Sequence, residues 1–309
     1  MGDERQHRAV VDAVIGFTNG GDVTVRGFRL DVPGPDVAGD QVGALLVAHL
    51  GLLMVGRVDV ERLEIVEEGH KGGRATEAAG GADAPAARRV VDLAHPITEG
   101  MVTYPGIPAP TLGTHLSFDD AAAVYAPGTE FTIGMITLSS NTGTYLDTPA
   151  HRYRDGDDLA AVPIERLVDL DGVVVRVADG LTGDGPPAVD ALAFAPFDVA
   201  GRAVLVETGH ARHWGTDAYA HDHPYLTPAA ADWLVEHGAA LVGIDSLNID
   251  GTHTGERPVH TRLLGAGIPV VEHLTGLDRL PPSGFRFSAP PPKVAGLGTF
   301  TVRAFAVVG

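Results

Sequence analysis

Asp147 and His151 stand four residues apart in the stretch Ser140-Asn141-Thr142-Gly143-Thr144-Tyr145-Leu146-Asp147-Thr148-Pro149-Ala150-His151. One carboxylate and one imidazole at that spacing suit metal binding, since both ligate divalent cations, or proton transfer, since imidazole titrates near neutral pH. The same pair in a turn can instead cap backbone groups. Residues 131–138, just before, form an apolar, β-prone run and are expected to be a buried strand that hands its last residues to a site. Gly143 lets backbone approach something bound, and Pro149 stiffens the exit into a polar loop. The chain has no cysteine. That excludes disulfides, thiolate metal sites and thiol nucleophiles together, so any metal must be held by oxygen and imidazole.

The stretch resembles the signature of the metal-dependent cyclase and kynurenine formamidase family, His-x-Gly-Thr-His-x-Asp-x-Pro-x-His. Gly143, Thr144, Asp147, Pro149 and His151 match it, while Asn141 and Tyr145 stand in place of the two leading histidines. Further on, His260-Thr261-Arg262-Leu263-Leu264-Gly265-Ala266-Gly267-Ile268-Pro269-Val270-Val271-Glu272 resembles the family segment that gives the metal centre a histidine and, twelve residues later, a glutamate. The resemblance implies Asp147, His260 and Glu272 as metal ligands and His151 as general acid or base. It places Tyr104, in a Tyr-Pro-Gly loop, near the substrate pocket; the same residue reads equally as a packing aromatic in a Pro-Gly turn. Trp214 is a candidate pocket wall, and with Tyr104 and Asn141 it completes the candidate substrate-binding set.

The chemistry implied is hydrolysis of an aryl-formamide or a related amide or cyclic amide, with zinc or manganese activating water. Neutral amide and phenol oxygens are poor partners for zinc. With Asn141 and Tyr145 where the family has histidines, the expectation is one divalent metal and not two. Tyr145 either donates a hydrogen bond to a substrate carbonyl or fills the space a metal has vacated. Two rival readings stand beside this one. The first is a metal-independent cyclase or lyase using His151, Tyr145 and Asp147, and the second is a ligand-binding member without turnover. The implied fold is α/β, a mixed barrel-like sheet with flanking helices, with the site near a subunit interface of a homodimer or larger assembly.

The elements that must position these residues can be read in order. Residues 1–68 read as a small ββαβ unit: strands over 9–17 and 22–30, a turn at Asn19-Gly20-Gly21, a helix over 37–50 and a strand over 53–66. Residues 69–88 are a Gly/Ala-rich linker, and 89–309 form the domain that carries the resemblance. In that domain, residues 92–97 read as an edge strand, and His115 and Phe118 fall in an irregular segment placed to fold over the pocket. Residues 163–169 read as a short helix, and 173–177, 203–207 and 241–244 as buried strands. Thr227-Pro228 opens a helix that Gly238 ends. His210, His213, His221 and His223 are too irregularly spaced to form a metal motif and read as loop residues. Arg286 is expected either to meet an acidic substrate group or to lie on the surface.

The net charge of -18 and the estimated pI of about 5.0 argue against nucleic acid and anionic membrane partners but say little about substrate; the resemblance implies a small-molecule one. The charged start of the chain carries no secretory signal, and residues 42–58, which include His49, fall short of the roughly 20 apolar residues of a membrane span. A cytoplasmic enzyme is expected.

Overall fold

The computed structural model describes residues 5–18, 20–50, 52, 54–69, 88–177 and 187–309. They fall into two compact units, one spanning the first 87 residues together with 192–198, the other comprising 88–191 and 199–308.

In the first unit, strand Arg5–Phe17 runs between Asp22–Val32 and Val55–Gly69 in an antiparallel sheet. Alternation decides which face is covered: Ala9, Val11, Ala13 and Ile15 are buried, one residue in two. Helix Gly39–Leu50 brings Val42, Leu46 and Leu50, spaced four apart, to the same core. The helix starts two residues later than the periodicity predicts. Gly20 and Gly21 make the first turn with φ of 94° and 82°, a region that favours glycine. Asn19 and most of the expected linker lie outside the described residues.

The second unit is built on a curled, half-barrel sheet of nine strands. From edge to edge they are Thr299–Thr301, Tyr145–Asp147, Val270–Glu272, Leu241–Ile244, Ala203–Glu207, Leu170–Arg176, Ser283–Ser288, Phe305–Val308 and Arg89–Asp92. The four from Val270–Glu272 to Leu170–Arg176 are parallel to one another, and the outer strands are antiparallel to their neighbours. The parallel strands are buried on both faces, which is why they read as unbroken apolar runs. Leu146, Val174, Leu205, Leu241, Val271 and Phe287 lie in the core they share. Thr227 accepts the Ala230 N–H at 3.1 Å and so caps helix Pro228–Glu236, which packs on helix Pro258–Gly265. Gly238 follows at φ 71° and turns the chain out of the helix.

Several expectations are corrected. The apolar run 131–138 is no buried strand: Ile133–Thr137 pairs only with Thr111–Leu116 in a separate two-stranded ribbon, and all five of its residues are exposed. Apolar composition there records a ribbon uncovered on both faces. Residues 163–169 hold only the single 3-10 turn Ile164–Arg166: the backbone leaves helical geometry at Leu167, with φ -121°, and Asp169 follows at a left-handed φ of 53°. The edge strand is Arg89–Asp92, with Pro96 keeping 94–97 outside the sheet. Arg286 is a surface residue, donating to Asp169 and Asp171. Among the described residues no helix is long and apolar enough to cross a membrane.

Candidate active site

Three segments distant in sequence meet at one end of the nine-stranded sheet. The first is Tyr145–Asp147 with the turn Pro149–His151 behind it. The second is Val270–Glu272, antiparallel to it, with Glu272 opposite Tyr145 and Val270 opposite Asp147. The third is helix Pro258–Gly265, whose first turn carries His260. Antiparallel pairing lets a short strand place Tyr145 and Asp147 on one face, two residues apart.

His260 Nε2 lies 3.6 Å from Asp147 Oδ2 and 3.6 Å from Glu272 Oε1. All three side chains are at least 95 % buried. Those separations exceed hydrogen-bond length, and Asp147 Oδ2 has no hydrogen-bond partner at all. Around a tetrahedral ion with ligand bonds of about 2.1 Å, donors stand roughly 3.4 Å apart. One nitrogen and two carboxylate oxygens, converging at that spacing with a buried oxygen left over, fit a divalent cation. A ligand atom of His151 also lies within 4.8 Å of those of Asp147 and His260. Asp147 and His260 are thus common to either choice of third donor, Glu272 or His151.

The electrostatics follow from this crowding. Burial pushes the His260 imidazole down, but Glu272, Asp147 and Asp250 together outweigh it and raise it to about 10. Burial also drives Glu272 up, to about 7, with the Asp147 charge adding to the rise. Asp147 is pushed up by burial, yet His151, His260 and Thr299 hold it below the usual carboxylate range. In the absence of a metal, these three carboxylates draw a proton onto the histidine among them.

Around this group, each of the other three carboxylate oxygens of Asp147 and Glu272 has a hydrogen-bond partner. Tyr145 Oη donates to Glu272 Oε2 at 2.5 Å, and the Ile249 N–H donates to Glu272 Oε1 at 2.6 Å. Asn141 Oδ1 accepts the Ser140 hydroxyl at 3.0 Å, and the Asn141 amide acts on the buried Tyr145 phenol by lowering its pKa against the larger effect of burial. Thr299 donates to Asp147 Oδ1, and its oxygen lies 2.7 Å from His151 Nδ1. Asp250, fully buried, accepts the Val259 N–H at 2.7 Å, the His260 N–H at 3.0 Å and His260 Nδ1 at 2.6 Å. It therefore caps the helix and fixes the ring that faces Asp147. His151 differs from the rest, its side chain being 34 % exposed.

An aromatic wall stands beside the centre. Trp214 stacks on His95 at 3.9 Å and meets the Tyr219 and His273 rings edge-on. Tyr219 Oη and His273 Nδ1 are 2.8 Å apart. Trp214, Tyr219, Met101, Val102, Thr103 and Leu247 line a cavity of about 620 Å³. Tyr104 is not among the lining residues, although both its neighbours are; its carbonyl accepts the Ile107 N–H in a turn.

Sequence reasoning missed Thr299, Tyr219 and His273, and placed Asp250 only within residues 245–250, which follow a buried strand where functional groups tend to lie, with no role of its own. Asp250 had a usable signal, a carboxylate shortly before a helix-opening proline and the histidine it serves. His273 carries none: it is fully buried at a left-handed φ of 58°, with Nε2 unpartnered, and burial and His95 lower it to about 3.

The model of the Cyclase family, described as "Putative cyclase", matches residues 91–251, just over half of the chain. Kynurenine formamidase of Geobacillus thermodenitrificans (strain NG80-2) is 26% identical over 216 residues, covering 69% of this chain and 95% of that protein. Among solved structures, isatin hydrolase A from Labrenzia aggregata superposes with a TM-score of 0.63 at 22% identity, over 72% of this chain and 94% of its own. A predicted metal-dependent hydrolase from Bacillus stearothermophilus gives a TM-score of 0.57 at 26% identity, over 72% of this chain and 99% of its own.

Proposed function

The chain belongs to the Cyclase family, and from that premise we propose that it is a hydrolase of C–N bonds other than peptide bonds, arylformamidase-like, dependent on a single divalent cation. The observation that carries this reading is the unpartnered Asp147 Oδ2 facing His260 Nε2 in a buried site, with Glu272 Oε1 on the other side of the ring nitrogen. Asp147, His260 and Glu272 would hold the cation. When bound, it lowers the pKa of water and polarises a carbonyl oxygen.

The chain's own residues account for the remaining chemistry. His151, partly open to solvent beside that group, takes the proton from the attacking water and returns it to the departing nitrogen. Water adds to the carbonyl carbon, the C–N bond breaks, and the products are an acid and an amine. Trp214 and Tyr219, set nearly at right angles, offer an aromatic corner for an aryl ring beside the cavity. Tyr145 and Asn141 do not face substrate in this scheme. Tyr145 bonds Glu272, and with Asn141 it fills the place a second cation would need.

The reading carries with it zinc or manganese as the cation, a cytoplasmic setting, a role in tryptophan breakdown and a homodimer or larger assembly. The exposed apolar side chains of Leu112, Ile133, Met135 and Ile136 on the two-stranded ribbon support association. An assay of N-formylkynurenine hydrolysis tests the function. Turnover abolished by a chelator and restored by zinc or manganese is expected. Chelator-insensitive turnover would move the assignment to a metal-independent cyclase or lyase, and binding without turnover across amides and lactones to a ligand-binding protein.

A further inference from the structure

We propose that Thr299 is the positioning residue that prepares His151 as a base, by joining it to Asp147 through one hydroxyl. The proposal rests on the reading of His151 as the proton acceptor.

Proton counting sets the direction of the chain. Asp147 Oδ1, as a carboxylate oxygen, can only accept, so the Thr299 O–H is given to it. A hydroxyl has one hydrogen, so Thr299 Oγ1 must accept from His151 Nδ1, which lies 2.7 Å away. His151 Nδ1 therefore carries the ring's proton in the neutral imidazole, and Nε2 carries the free lone pair. That is the tautomer a base needs, with Nε2 available for the proton of a water. His151 Nδ1 and Asp147 Oδ1 stand 3.4 Å apart, too far for a good direct bond, so the hydroxyl is the link between them.

The backbone holds that hydroxyl in place independently of either partner. Thr299 is the register partner of Asp147 where the edge strand Thr299–Thr301 pairs with Tyr145–Asp147. Gly298 O accepts both the Thr148 N–H at 2.8 Å and Thr148 Oγ1 at 2.9 Å. Gly298 itself lies against the Ala150–His151 backbone so closely that a Cβ there would sit 2.2 Å from His151 N. Glycine is required by that approach, and it brings the threonine to the turn bearing His151. The Thr299 side chain is buried, so water does not compete for its oxygen.

The same carboxylate serves two purposes. Oδ1 is taken by Thr299, which leaves Oδ2 unpartnered and directed at His260. The hydroxyl thus divides the two oxygens of Asp147 between base and cation.

The test compares Thr299→Val, which keeps the shape and removes the hydroxyl, with Thr299→Ser, which keeps the hydroxyl. Nitrogen-15 imidazole spectra of the metal-free protein read the His151 tautomer, and zinc titration and N-formylkynurenine kinetics are run on the same samples. The expected result is a single Nδ1–H tautomer in the parent and in Thr299→Ser, with mixed tautomers in Thr299→Val. We expect kcat to fall 10- to 100-fold in Thr299→Val, with KM and zinc affinity within about threefold of the parent and kcat recovered in Thr299→Ser. An unchanged tautomer in Thr299→Val, or a serine variant as impaired as the valine one, overturns the proposal. A parent that fails to hydrolyse the formamide overturns the proposed activity, whereas the tautomer result still decides the role of Thr299.

Discussion

Tyr145 Oη donates to Glu272 Oε2 over 2.5 Å, between two residues that face each other as register partners across antiparallel strands. Both are fully enclosed, and burial together with the Glu272 and Asp147 charges keeps the phenol protonated, well above its ordinary range. A neutral phenol thus occupies a position where the family motif has a metal-ligating imidazole, and it satisfies a carboxylate oxygen that would otherwise be buried without a partner. Such an oxygen costs about 1–3 kcal/mol.

Tyr145→Phe removes that donor without altering the ring. Stability should fall by about 1–3 kcal/mol, read by chemical denaturation, while kcat stays within about tenfold and KM is unchanged. A loss of kcat beyond a hundredfold with stability intact would make the phenol a substrate contact instead.

Asp250 meets three donors, two from the backbone of the helix that carries His260 and one from its ring. Asp250→Ala should lower metal affinity about 10- to 100-fold, measured by competition with a chromophoric chelator. Part of the effect is loss of the helix cap, worth roughly 0.5–2 kcal/mol in stability. Metal affinity that tracks the parent would show that the ring needs no such partner.

His273 supplies a pH signature. Burial first, then the neighbouring His95, lowers it to about 3, below the ordinary value of 6.5. Between those two values the unfolded chain binds the proton that the folded chain refuses. Stability therefore rises with pH across that window and is lost as pH falls below 6.5, at about 1.4 kcal/mol per pH unit. His273→Asn, whose side chain tolerates the left-handed backbone, removes this contribution. Denaturation of the metal-free protein near pH 5 and near pH 7.5 should show an acid loss about 2 kcal/mol smaller in the variant. Equal losses in both proteins would mean the imidazole charges freely in the folded state.

Much of this architecture was legible in local pattern. The buried parallel strands announce themselves as short apolar runs, and Thr227, Pro228 and Gly238 mark both ends of a helix. The spacing of His260 and Glu272 spans most of one helix and one three-residue strand, so the pair is visible as a unit. What stayed hidden depends on contacts across the chain. Thr299 reaches Asp147 over 152 residues, and an isolated threonine after a glycine carries no signature of that meeting. The run 131–138 misled for a different reason. Apolar residues report a preference for burial, and the ribbon of Ile133–Thr137 leaves that preference unmet within the chain.

The most direct measurement is the metal content of the protein after equilibration with excess zinc or manganese and removal of free ion, beside an Asp147→Ala, His260→Ala pair treated alike. One equivalent per chain in the parent and none in either variant is the predicted result. Two equivalents in the parent, or a full equivalent retained without Asp147 and without His260, would contradict a single cation held by these side chains.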